Sequence, residues 1–108
     1  METKDLEKLK GSYLERLIEM DAKISAMTQR KTELYGGNGI VDTLREQVIK
    51  TYYEGINRKF ERMPTLMSAY IDNGSIDVLD AIVDTITDIN GYSLMALVDI
   101  SYHISKGE

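Results

Sequence analysis

The sequence predicts an all-α protein, an antiparallel helical bundle of four to five helices that is completed by dimerisation. Apolar residues recur at intervals of three and four along most of the chain, and potential helix breakers are concentrated at a few points. A chain of 108 residues is long enough for one helical core, so we expect a single domain over residues 1–108. Beyond Gly91, apolar residues surround most of the last helix. A chain this short has few elements to cover that surface, which favours a second subunit.

Two long helices are expected in the first two thirds of the chain. Over residues 5–34 one apolar seam steps by three and four, through Leu6, Leu9, Tyr13, Leu17, Met20, Ile24 and Met27. Three glycines within residues 36–39 permit positive φ angles and predict a turn. A second helix is expected over residues 40–62. It should end or kink near Pro64, which has no amide hydrogen and biases Met63 away from helical geometry.

Two further helices are expected after the proline. A short helix over residues 64–72 would be closed by Gly74, and Ser75 is positioned to cap a helix over residues 76–104. Glycine costs about 1 kcal/mol relative to alanine inside a helix, so a break at Gly91 would give five helices rather than four.

Composition excludes several classes of protein. The net charge is −5 and the pI is about 4.9, which argues against nucleic-acid binding as the main activity. Cysteine is absent, so thiol nucleophiles and disulfides are absent too. No apolar run approaches the ~20 residues of a membrane span, and the first ten residues are charged rather than signal-like. We therefore expect a soluble cytoplasmic protein, with His103, the only histidine, on its surface.

Four aspartates form one stripe on the last predicted helix, and this aspartate stripe comprises Asp77, Asp80, Asp84 and Asp88. Like charges at this spacing repel one another, and no lysine or arginine is interspersed. Converging carboxylates are suited to Mg²⁺, which prefers oxygen ligands and is usually shared with substrate phosphates. A plain solvated surface explains the spacing equally well.

A basic cluster lies at the end of the second predicted helix and comprises Arg58, Lys59 and Arg62. Cations there stabilise the helix dipole, and Glu54 lies one turn before Arg58, so capping with an exposed ion pair is a sufficient explanation. Together with the aspartate stripe, however, the cluster would supply both charges that triphosphate chemistry needs. No Walker motif is present.

Three segments resemble the small phage and bacterial members of the all-α MazG-like nucleoside triphosphate pyrophosphohydrolases. They are Arg30 to Gly36 (RKTELYG), Ile56 to Arg62 (INRKFER) and Val83 to Leu97 (VDTITDINGYSLMAL). Family members often carry a lysine shortly before Tyr-Gly, a Lys-x-x-Arg helix and an Asp-x-x-x-Asp-x-x-x-Tyr helix. The likeness covers about residues 30 to 98, and its last segment is the most specific.

The resemblance implies a helical bundle, dimeric or higher, that cleaves a nucleotide between its α and β phosphates with Mg²⁺ held by helix carboxylates. It implies metal ligands at Asp84 and Asp88, with Asp80 on the same face and Glu54 within reach from the second helix. The remaining implied roles are phosphate binding by Lys31, Lys59 and Arg62, and nucleotide contacts by Tyr35, Asn90 and Tyr92. The implied setting is the cytoplasm of a bacterium or a phage-infected cell.

Two departures from the family pattern leave alternatives open. Val83 stands where relatives often carry glutamate, and the Glu-Glu-x-x-Glu run of typical members is missing from the second helix. A site with few carboxylates is also consistent with nucleotide binding without hydrolysis. The competing hypothesis is a non-enzymatic interaction protein, such as a phage adaptor, an inhibitor or a small subunit, that binds a protein partner through its first helix.

Overall fold

A computed structural model describes residues 1–34, 45–105 and 107, without the side chain of Arg45. Its helices are α1 (Thr3–Glu7), α2 (Tyr13–Leu34), α3 (Arg45–Asn73) and α4 (Ile76–Ser105). The described residues contain no strand, and the four helices pack together, so the all-α prediction is confirmed. None of the helices described has the length and apolar character needed to cross a membrane.

Helix α4 is the centre of the fold, because each of the other three helices packs against it. α3 runs antiparallel to it: Tyr52 reaches Asp99, while Lys59, two turns later, reaches the earlier residue Asp88. α2 is antiparallel to α4 as well, and α1 lies beside the first turns of α4. Side chains from three helices can therefore meet on α4.

The predicted helix over residues 5–34 is divided into two helices, so this part of the prediction is wrong. Residues 8–12 separate α1 from α2, and Gly11 among them adopts φ +92°, a left-handed conformation that does not fit a helix. Ser12 then starts α2 with a capping box: its Oγ accepts the Glu15 amide at 3.2 Å, and Glu15 Oε1 accepts the Ser12 amide at 3.4 Å. The apolar periodicity continues through this break because both helices pack on the same neighbour.

Pro64 lies inside a helix, which overturns the predicted end at residue 62 and the separate helix over residues 64–72. α3 continues through the proline to Asn73. Proline leaves the carbonyl of Phe60 without its helical donor. Both residues are exposed, so water can satisfy that carbonyl. The predicted turn over residues 36–39 and the predicted helix start at residue 40 lie outside the described residues.

The last helix spans Ile76–Ser105, where the sequence predicts a helix over residues 76–104. Gly74 ends α3 with φ +63°, and Ser75 Oγ accepts the Asp77 amide at 3.2 Å. α4 then continues through Gly91 without a break. A Cβ atom at Gly91 would lie 3.3 Å from Thr28 Oγ1, so the missing side chain permits close packing of α2 on α4.

Among the described residues, the fully buried positions are largely polar. Val48, Tyr52 and Val83 are buried, and so are the polar side chains of Thr85, Thr87, Asp99 and His103. The buried threonines are satisfied locally, since each hydroxyl donates to the carbonyl four residues earlier at 2.8 Å. The expectation of a surface histidine is wrong, because His103 is 1% exposed.

Candidate functional site

Three aspartates of the predicted stripe are bound by partners from three other parts of the chain. Asp80 accepts hydrogen bonds from the segment that begins α1, Asp84 pairs with the terminal amine of Met1, and Asp88 pairs with two lysines. Asp77, in the first turn of α4, is exposed. Charges from elsewhere in the fold therefore offset the mutual repulsion that the sequence pattern implies.

Asp88 is the centre of the site, which we name the Asp88 cluster: Asp88, Lys31 from α2 and Lys59 from α3. The Lys59 ammonium lies 2.9 Å from Asp88 Oδ2, and the Lys31 ammonium lies 3.4 Å from Oδ1. Partial burial acts to raise the pKa of the Asp88 carboxyl, but the hydrogen bond from Lys59 and the charges of both lysines outweigh it. The net pKa lies below its usual range, so Asp88 is ionised at neutral pH.

The neighbouring aspartates tie α1 to α4. The side-chain hydroxyl and the backbone amide of Thr3 donate to Asp80 Oδ1 at 2.6 and 2.7 Å, and both hydrogen bonds lower the pKa of Asp80. The amine of Met1 lies 3.5 Å from Asp84 Oδ1, and the Asp84 side chain remains 61% exposed. Asp84 therefore keeps most of its surface available to another ligand.

An open groove of about 510 Å³ lies beside the Asp88 cluster, between α2 and the start of the chain. Its cationic side chains are Lys23, Arg30 and Lys31, and Asp5 is the acidic residue among those that line it. Lys31 thus belongs to both the groove and the Asp88 cluster. The groove is suited to an anion, because cations outnumber carboxylates along its wall.

Tyr92 lies one turn after Asp88 and packs against α3. Its ring makes an edge-to-face contact with Tyr52, with ring centroids 6.5 Å apart, and it passes the backbone of Gly55. The Tyr52 hydroxyl in turn donates to the buried carboxylate of Asp99. Burial, together with this hydrogen bond, raises the pKa of Tyr52 well above its usual range. The two tyrosines therefore pack between α3 and α4, next to the buried carboxylate of Asp99.

The structure brings together some of the predicted site residues and not others. Glu54 is exposed and lies five residues before Lys59, which places it about 140° away around α3. Arg62 is exposed one turn beyond Lys59, and Asn90 is exposed and donates to the Ile86 carbonyl at 3.0 Å. Neither Glu54 nor Arg62 has a hydrogen bond or an ion pair to the stripe among the described contacts. Tyr35 lies outside the described residues.

The sequence analysis did not identify two residues that shape this region. Thr3 binds Asp80 although 77 residues separate them, and no local pattern signals so distant a contact. Asp99 had a visible signal, since it is a single acid within the apolar run from Leu97 to Ile100. An isolated charge in such a run is typically buried with a partner, and Tyr52 is that partner here.

The carboxylates of the site were also assessed as metal ligands. Within the described residues, no group of three or more acidic, histidine or cysteine side chains converges on one point. Asp84 and Asp88 are one helical turn apart, and a pair of carboxylates completed by water and phosphate oxygens is a common Mg²⁺ arrangement. Both Asp88 oxygens are paired with lysines, so metal binding by this pair would require the lysines to move to another anion, such as a substrate phosphate.

Comparisons with protein-family models, with curated proteins and with solved structures find no match to this chain.

Proposed function

We propose that this chain is a Mg²⁺-dependent nucleoside triphosphate pyrophosphohydrolase of the MazG-like type, which converts a nucleotide to its monophosphate and pyrophosphate. The observation that carries the proposal is the Asp88 cluster. Lys31, Lys59 and Asp88 come from the three separate segments on which the sequence resemblance depends, and they meet within hydrogen-bonding distance. Convergence of three distant segments at one charged point supports a shared chemical role.

The charges of the cluster suit a polyphosphate. Each lysine has a long flexible side chain, and the Lys31 side chain is 53% exposed, so its ammonium can transfer from Asp88 to a phosphate oxygen. The Lys59 side chain is less exposed, at 24%, and its ammonium lies closer to Asp88. Arg30 and Lys23 extend the positive surface along the adjoining groove. A bound triphosphate would replace carboxylate oxygens as the partner of these cations.

In this proposal Asp84 and Asp88 would hold the metal. When bound, Mg²⁺ would supply an activated water molecule and neutralise charge on the phosphate chain. Lys31 and Lys59 would neutralise the negative charge that develops on the leaving pyrophosphate. Tyr92 would line the nucleotide side, one turn further along α4. The proposed protein acts in the cytoplasm of a bacterium or a phage-infected cell.

The test is pyrophosphate release from a panel of ribo- and deoxyribonucleoside triphosphates with Mg²⁺. We expect turnover by the parent chain and a loss of at least about a hundredfold in Asp84→Asn and in Asp88→Asn, because metal ligands act mainly in the transition state. The matched control is Asp77→Asn, the same change on the same helix at an exposed position away from the lysines. Its turnover should equal that of the parent.

Two results would count against this proposal. Equal turnover in Asp77→Asn and Asp88→Asn would show that the Asp88 cluster does not bind the metal. An absence of turnover with every nucleotide, while a nucleotide still raises the melting temperature, would replace hydrolysis with nucleotide binding alone.

A second function is favoured by the surface of α2. Its first two turns expose Tyr13 (84%), Leu14 (63%), Leu17 (53%) and Ile18 (62%), an apolar surface typical of partner binding. We propose as the alternative a non-enzymatic helical adaptor that binds a protein through this surface. In that case Asp88→Asn should leave partner binding unchanged and Leu17→Glu should abolish it.

A further inference from the structure

Helix α3 carries a second apolar seam on the side that α4 leaves uncovered. The seam residues lie within about 40° of Phe60 around the helix, and they are Ile49, Tyr53, Ile56, Phe60, Met67 and Ile71. α3 packs on α4 through a different side, which carries Val48, Tyr52 and Lys59. Tyr53 is 67% exposed, Phe60 55%, Met67 51% and Ile49 50%. About 33 Å of apolar helix surface is therefore without a partner among the described residues of the single chain.

We infer that this α3 seam pairs with the α3 seam of a second copy of the chain, antiparallel, about a two-fold axis at Phe60. The observation that points to a second copy is the symmetry of the seam about that residue. Ile49 and Ile71 lie eleven residues to either side, and Tyr53 and Met67 lie seven residues to either side. A two-fold interface requires such self-complementarity, because residue i of one copy meets residue j of the other and j meets i.

The charges beside the seam fit the same arrangement. Lys50 precedes Phe60 by ten residues and Asp72 follows it by twelve, both exposed and both on the same flank of α3. When two copies pair antiparallel about Phe60, Lys50 of one copy lies at nearly the same position along the helix axis as Asp72 of the other. The two-fold axis repeats this pairing at both ends of the interface. Opposite charges on the flanks of a helical seam favour that pairing and register.

The accessible surface area of the chain is also larger than that of a typical monomer of this mass. It amounts to 7623 Å², whereas about 6,100 Å² is typical of a folded monomer of 12.3 kDa. The excess of about 1,500 Å² exceeds the ~800 Å² per partner of a standard interface. Pairing of two α3 helices would cover part of that excess and place an intermolecular four-helix layer of α3 and α4 at the centre of the dimer.

The first experiment measures mass in solution across a concentration series. We expect the unmodified chain to be a dimer and Tyr53→Glu to raise its dissociation constant by at least about a hundredfold, since each dimer would bury two unpaired carboxylates. The matched control is Tyr13→Glu, the same change at an exposed tyrosine of α2. Circular dichroism should show both variants folded, because both side chains are on the surface.

A monomeric parent chain, or a dimer that Tyr13→Glu dissociates and Tyr53→Glu does not, would overturn the inference.

The second experiment tests the register by disulfide cross-linking, which the absence of native cysteine makes clean. In the antiparallel register, Phe60→Cys places two thiols beside the two-fold axis, within disulfide range, and should yield a covalent dimer on mild oxidation. Ile49→Cys should not, because its two thiols would lie about 33 Å apart. Equal cross-linking by both variants would indicate parallel helices, and no cross-linking by Phe60→Cys would place the interface elsewhere. Either result would overturn the inference.

Discussion

Asp88 and Asp99 are carboxylates on the same helix, eleven residues apart, but they differ in exposure and in the partners that they bind. The Asp88 side chain is 17% exposed and is held by two lysines from two helices. Asp99 is 3% exposed and accepts the hydroxyl of Tyr52. A carboxylate paired with mobile cations beside an open groove can exchange its partners for a ligand. A carboxylate buried against a tyrosine hydroxyl cannot do so without opening the core, so we propose a functional role for Asp88 and a structural role for Asp99.

The buried pair is the more costly one to break. Tyr52→Phe removes the hydrogen bond donor and leaves the Asp99 carboxylate buried without it, which should lower the free energy of unfolding by about 2 kcal/mol. Chemical denaturation measures the change. Tyr102→Phe, the same substitution at a half-exposed residue of α4, should have no measurable effect. Equal stabilities of the two variants would show that the Tyr52 hydroxyl does not support the core.

The next prediction concerns the distance between α2 and α4 near the Asp88 cluster. Gly91→Leu places a large side chain where a Cβ alone would already lie 3.3 Å from Thr28 Oγ1, so it should push α2 from α4 and lower the free energy of unfolding by about 1–3 kcal/mol. Because Lys31 is on α2, nucleotide turnover should fall as well.

The matched change at the other interface of α4 is Gly55→Ala. There a Cβ would meet only Tyr92 at 4.0 Å, an ordinary contact, so the gain in helix propensity should raise stability by about 0.5–1 kcal/mol. A stabilising Gly91→Leu would show that α2 does not pack closely on α4.

The smallest expected effect concerns pH. The pKa of Asp88 is lowered in the folded state, so its ion pairs stabilise the fold above the unfolded pKa of about 4, and that stabilisation is lost as pH falls through the lower folded pKa. Asp88→Asn should therefore cost less than about 1 kcal/mol at pH 7, since the pair is partly solvated, and should flatten the fall in stability below about pH 5.

The control for the acid limb is Asp21→Asn, the same change at an exposed position in the middle of α2. Its stability profile should follow that of the parent. An acid limb of unchanged slope in Asp88→Asn would mean that the lysines do not stabilise the folded state through this carboxylate.

Features that depend on neighbouring residues could be predicted from the sequence, whereas features that depend on packing between distant segments could not. The start of α4 was predicted because its signals are local: Gly74 ends one helix and Ser75 caps the next. The division between α1 and α2 was missed although the capping box of Ser12 and Glu15 is present, because the apolar period continues across it. The continuity of α3 through Pro64 could not be predicted, since it depends on which face of the helix meets solvent.

The distinction between local signals and distant contacts also applies to the Asp88 cluster. Lys59 and Asp88 were identified from spacing and charge, and Lys31 from the resemblance of its segment. Their meeting depends on how three helices pack, which no single segment specifies. Thr3 could not be found at all, because its contact with Asp80 spans 77 residues without any local pattern.

The most direct test of the central claim, that the Asp88 cluster binds a nucleoside triphosphate, is calorimetric titration with a non-hydrolysable triphosphate analogue and Mg²⁺. This measurement separates binding from hydrolysis. We expect the parent chain to bind and Lys59→Met to weaken the dissociation constant at least about tenfold, because a charged hydrogen bond to phosphate is lost. Lys10→Met, at an exposed lysine between α1 and α2, should bind like the parent. Equal binding by Lys59→Met and Lys10→Met, or no binding by the parent chain, would contradict the claim.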